Sequence, residues 1–114
     1  MQDFRKLHVW QKANELARRL QEFLPRIAAK KPRLAHQLER AVESIAANIA
    51  EGCGRETRAD FRKYLTTAIG ETTEGENHLI RVDDCGLIDP AVSSELTERL
   101  IQIRKMANAL PKTL

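Results

Sequence analysis

The sequence predicts an all-α domain, an up-down-up-down bundle of four amphipathic helices. Three observations predict it. Aromatics are only 4% of the chain, and Val and Ile are few beside Ala, Leu, Glu, Arg and Lys, a balance that favours helix over sheet. Apolar residues recur at three- and four-residue steps in four separate stretches. Glycines and prolines fall mostly between those stretches, where helices end. With 114 residues, the chain reads as one domain over 1–114, without linker, repeat or low-complexity segment. That length buries a core without disulfide or metal staples.

The first helix is expected from Val9 to Leu24, with Val9, Ala13, Leu16, Ala17, Leu20, Phe23 and Leu24 on one face. Pro25 should end or bend it, because proline lacks a backbone donor and crowds the preceding turn. Ile27 to Pro32 then reads as a short basic connection. The second helix is expected from Arg33 to Glu51, its core face formed by Leu34, Leu38, Ala41, Val42, Ile45 and Ile49. Gly52 is its natural stop, since glycine adopts the left-handed conformation at little cost.

Thr57, three residues before Asp60, has the spacing of a capping box and should open the third helix. Its stripe of Phe61, Leu65, Ala68, Thr72, Gly75, Leu79 and Val82 alternates four- and three-residue steps, the seam of a coiled-coil-like bundle. Thr72 and Gly75 should leave that seam weaker or more open, because both reduce apolar burial. Gly86 ends the helix. Asp89-Pro90 caps the fourth, whose stripe is Val92, Leu96, Leu100, Ile103, Ala107 and Leu110, with Pro111 closing it. Trp10, Glu51, Arg55 and Thr57 should gather at one end of such a bundle.

The second helix carries more than a core face. Gln37, Arg40, Ser44, Asn48 and Glu51 form a polar stripe beside it, continued by Arg55. Three readings stand: a buried hydrogen-bond network that fixes helix or subunit register, a solvated face, or the wall of a ligand site. Ala35, Ala46, Ala47 and Ala50 lie on the opposite side, where small residues would let another helix approach closely. High helix propensity alone also explains them.

Catalytic and metal chemistry find little support. Glu51 and Glu56 flank Arg55, but acid–base work needs a cleft and unlike pKa values. Glu74 precedes His78 by four residues rather than the three of a di-metal carboxylate motif, and no second copy exists. His8, His36 and His78 are isolated, and surface positions are the default for each. Cys53 and Cys85 belong at opposite ends of one helix, ~40 Å apart at the α-helical rise, so no disulfide is expected. No phosphate-cradling loop is present. We therefore expect no catalytic residues, no metal and no cofactor. No stretch approaches the ~20 apolar residues of a membrane span, and the start lacks a signal peptide's apolar region, so the expected compartment is the cytoplasm.

The net charge of +3 hides an asymmetry: residues 1–40 hold ten Lys/Arg against four Asp/Glu, and residues 41–114 hold nine against twelve. Arg18, Arg19, Arg26, Lys30, Lys31 and Arg33 cluster near the end of the first helix and the following connection. Such a cluster contacts phosphates without reading sequence. Solvation, or pairing with the acidic remainder, explains it equally well. No helix-turn-helix, zinc-finger or aromatic RNA-binding signature accompanies it.

Several segments have a family likeness. Phe4-Arg-Lys-Leu-His-Val-Trp-Gln-Lys-Ala13 resembles the opening of the four-helix-bundle proteins encoded in 23S rRNA intervening sequences. Arg40-Ala41, Ser44-Ile45, Asn48-Ile-Ala-Glu-Gly52 and Arg55 resemble that family's most distinctive segment, and Phe61-Arg-Lys-Tyr-Leu65 with Ala68 and Gly70 fits the part that follows. The resemblance covers nearly the whole chain. It implies a ring-shaped homopentamer without enzymatic activity, related to the basic accessory proteins of diversity-generating retroelements that partner a reverse transcriptase and nucleic acid. The expected function is thus a homo-oligomeric scaffold or interaction protein, its alternative a nonspecific RNA- or DNA-binding accessory factor. The expected partners are further copies of the chain and, in the alternative, RNA or DNA.

Overall fold

Five α-helices and one short 3-10 turn account for the regular structure of residues 3–110, the part described by the computed structural model. The 3-10 turn is Phe4–Lys6, followed by α1 (His8–Gln21), α2 (Leu24–Lys30), α3 (Pro32–Cys53), α4 (Arg58–Asp84) and α5 (Pro90–Ala109). No strand occurs among the described residues, and no helix there is long and apolar enough to cross a membrane. Pro111, expected to close the last helix, lies outside the described residues.

The helix missing from the sequence reading is α2. Pro25 does not simply end a helix. It sits in the first turn of a new one, where its absent N–H costs nothing. The stretch read as a basic connection is therefore helical through Lys30, and α1 stops at Gln21 rather than Leu24. Seven residues form no stable helix alone. Burial of Leu24 and Ile27 holds this one in place, each apolar side chain stabilising by about 1.5–3 kcal/mol. Ala35, expected on an outer face, is buried because α2 packs back against α3.

The four longer helices touch in a cycle: α1 against α3, α3 against α4, α4 against α5, and α5 against α1. The core runs along their centre through Leu16, Leu38, Ile45, Leu65, Leu79, Leu96 and Ile103. The molecule measures 43 × 21 × 19 Å, and α4 spans nearly the whole long axis at 1.5 Å per residue. The expected α4 stripe is its buried set without exception. On α5, Ser93 is buried whereas Val92 is only half-buried.

Caps behave as their chemistry requires. The Thr57 hydroxyl accepts from Asp60 N at 3.1 Å, the Asp89 carboxylate accepts from Ala91 N at 2.8 Å, and Gly86 ends α4 with φ +63°. Gly52 behaves differently from expectation. It lies inside α3, is buried and has no positive φ. A Cβ there would stand 3.1 Å from Tyr64 Cβ, 3.2 Å from Phe61 Cδ1 and 3.3 Å from the Phe61 carbonyl oxygen. Glycine is needed because α4 comes too close, not to turn the chain. Nor is the α4 seam open at Thr72 and Gly75. Thr72 is fully buried with its hydroxyl donating to the Ile69 carbonyl at 2.6 Å, and a Cβ on Gly75 would meet Leu100 Cδ1 at 3.3 Å. Leu100 fills the space that a leucine at position 75 would have occupied.

Candidate nucleic-acid interface and the polar face of α3

The polar stripe of α3 lies along its junction with α4, which carries a stripe of its own. Arg40 reaches Glu74 at 3.1 Å, and Glu74 also stands 3.4 Å from His78 Nε2. His78 is thus largely buried at a helix junction, not a surface histidine. At the other end, Arg55 pairs with Glu51 at 3.3 Å, donates to the Tyr64 hydroxyl at 2.5 Å and lies 4.8 Å from the centre of the Tyr64 ring. Asn48 donates to the Ser44 carbonyl at 2.8 Å within its own helix. Gln37 is exposed near the start of α3. The stripe therefore joins α3 to α4 at Arg40 and Arg55, while Ser44 and Asn48 are linked locally. Trp10 takes no part in that end cluster by any aromatic contact with Tyr64; its ring stacks edge-on against Phe4 at 5.0 Å.

Two atoms along this junction are buried without a hydrogen-bond partner: Arg55 Nε and Glu71 Oε2. Burial pushes the Glu71 carboxyl above its ordinary value, and the neighbouring Glu74 carboxylate adds to this, with Arg40 only partly offsetting both. Buried charge that lacks a full set of partners is destabilising. The reverse holds on the far side of the molecule. Arg19 of α1 grips Glu95 of α5 through two bonds of 2.9 Å, and Arg99 adds a third at 3.0 Å. Those bonds, from Arg19 first and then Arg99, pull the Glu95 carboxyl down to about 2. Its contribution to stability is present above the ordinary carboxylate value of 4.5 and is lost only as pH falls through about 2.

The expected phosphate contacts divide accordingly. Arg19 is committed to Glu95 and to Glu22, at 2.9 Å each, and is withdrawn from the cluster. Arg18, Arg26, Lys30, Lys31 and Arg33 are all exposed, and none forms an ion pair among the described residues. They gather around the end of α1, along α2 and at the start of α3, so the helical "connection" presents them from a fixed frame. No side chain caps α3, and its first turn holds no acid, so the positive end of the helix adds to their field. The sequence reading missed Arg81. It lies 48 residues beyond Arg33 and joins it in lining one groove. Only the antiparallel pairing of α3 with α4 brings the two together.

Among the described residues, no group of His, Cys, Asp and Glu is placed to hold a metal ion. Cys53 is buried, which raises its thiol pKa, and Cys85 is exposed just beyond α4; both are free thiols.

Fold and surface together define a small all-α protein with an unneutralised basic end. The chain belongs to the 23S rRNA-intervening sequence protein family, whose model matches residues 5–109. Among solved structures it is similar to a protein with unknown function from the S23 ribosomal protein family of Bacteroides thetaiotaomicron VPI-5482. That crystal structure is 25% identical, with 91% of this chain and 98% of that one covered and a TM-score of 0.85. No curated protein matches the chain.

The Glu71 environment gives a signed expectation. A carboxyl whose pKa is raised by folding favours the native state below its unfolded pKa and loses that contribution as pH rises through the folded value. Glu71→Gln should therefore raise the melting temperature at pH 7, and the gain should shrink below about pH 4.5 as wild-type Glu71 takes up its proton. Thermal unfolding by circular dichroism at both pH values checks this. A gain of equal size at both would place its cause elsewhere.

Proposed function

We propose that the chain is a non-enzymatic scaffold or interaction protein that works as a homo-oligomer: an up-down-up-down bundle of α1, α3, α4 and α5, with α2 as an inset elbow. The stoichiometry follows the family resemblance, five copies in a ring. The observation that carries assembly is the outer strip of α4. Thr66, Gly70, Thr73, Asn77 and Ile80 recur at four- and three-residue steps opposite the core stripe, and all five are exposed. In a chain with 31% charged residues, a solvated helix face would carry charges. This strip has none over some four turns. Ile80, 58% exposed, is the one exposed large hydrophobic residue among those described, and a Cβ on Gly70 would meet nothing within 4 Å. Depletion of charge at the centre of a patch is the compositional mark of an interface.

Ile80→Glu is the direct test, since a charge there meets water in a monomer but a partner in an oligomer. Sedimentation should show wild-type protein as an oligomer and the variant shifted toward the 13.0 kDa monomer, with helical content unchanged. A variant of wild-type mass, or a monomeric wild type, would overturn the reading.

A second reading, a nucleic-acid-binding accessory protein, is favoured by one further observation. Arg18, Arg26, Lys30, Lys31 and Arg33 stay unpaired where arginines at the helix junctions are paired. Repetition around an oligomer multiplies weak phosphate contacts through effective concentration. It predicts affinity for RNA or DNA that falls steeply with salt, and loss of binding when Arg18, Arg26 and Lys30 are reversed to Glu. Fluorescence anisotropy across a salt series measures both; binding insensitive to salt would exclude it.

A further inference from the structure

We propose that the groove between the start of α3 and the end of α4 seats the phosphodiester backbone of a nucleic-acid strand, with Lys31, Arg33 and Arg81 as its charged contacts. The inference rests on the second reading above and assigns it a site. The groove encloses about 400 Å³. Three cations from two segments distant in sequence converge on it, and all three are exposed and without an ion pair among the described residues. Gln37 adds a neutral amide donor, and no carboxylate lines the groove among the described residues.

This concentration of one sign is exceptional within the molecule. Arg40, Arg55, Arg99 and Arg104 also lie where helices meet or end, and each has a glutamate within 3.3 Å. The chain thus neutralises its guanidinium groups elsewhere and leaves them bare here. Like charges held together are relieved by a polyanion that displaces their counterions. The groove is open rather than enclosing, and Lys30 and Arg26 continue the basic surface beyond it along α2. An elongated row of cations suits successive phosphates of a strand, whereas a single small phosphate would need donors converging on one point.

Cys85 lies in the same groove and is exposed, while Cys53 is buried. Alkylation by iodoacetamide therefore reports on the groove at one thiol, with the other as an internal control. The probe is a fluorescein-labelled oligouridylate, with binding followed by anisotropy and Cys85 alkylation by mass spectrometry. The expected result is binding, slowed alkylation of Cys85, and a salt slope reduced by about 2 in the Arg33→Gln/Arg81→Gln variant, one unit per lost phosphate contact. Binding that leaves Cys85 at its free rate, with the slope of the variant unchanged, would overturn the groove while the nucleic-acid reading stands. Absence of binding at low salt would overturn both. Protection of Cys85 by millimolar inorganic phosphate, without oligouridylate binding, would overturn the strand and indicate a small-phosphate site.

Discussion

The close antiparallel approach of α3 and α4 is the constraint on which the rest of the structure depends. Small residues permit it: Gly52 under Phe61 and Tyr64, and Gly75 beside Leu100 and 3.8 Å from Val42 Cγ2. Ala41 and Ala68 are buried on the same pair of helices. Backbone brought this near leaves little room for side chains in the seam. The longer polar side chains of both helices are therefore displaced to its edge, where Arg40 meets Glu74 and Arg55 meets Tyr64. The same pairing sets Lys31 and Arg33 across from Arg81 and turns the uncharged strip of α4 outward. Both functional surfaces are thus mounted on one helix pair.

Charge follows a matching division. Where α1 meets α5, α3 meets α4 and α4 meets α5, each junction carries an arginine–glutamate pair. Such pairs, partly solvated, add modestly to stability, yet they fix which helix faces which. The basic end has no such partners, and its charges remain available to an outside anion. The balance of ten cations to four anions in residues 1–40 is accordingly local in space as well as in sequence.

Much of this was legible in the residues. The α4 stripe, the Thr57 and Asp89 caps and the Gly86 stop all follow from local chemistry, which acts within a turn or two and is written in adjacent positions. What was not legible depended on contacts across helices. Gly52 read as a stop because the approach of α4 cannot be seen from α3 alone. Ile27 read as part of a loop because seven residues hold too little pattern to announce a helix that exists by packing. Thr72 and Gly75 read as a gap because Leu100 belongs to another helix. Arg19 read as a phosphate contact because its partner, Glu95, lies 76 residues away. Arg81 was missed for the same reason in reverse.

The close approach of α3 and α4 is tested most directly by equilibrium urea unfolding of Gly52→Ala. In an unconstrained helix this change stabilises by about 1 kcal/mol, because glycine is the poorer helix former. The packing described here predicts the opposite sign, a loss of about 1–3 kcal/mol as the new methyl group forces Phe61 and Tyr64 apart. A variant as stable as the wild type, or more so, would contradict the account.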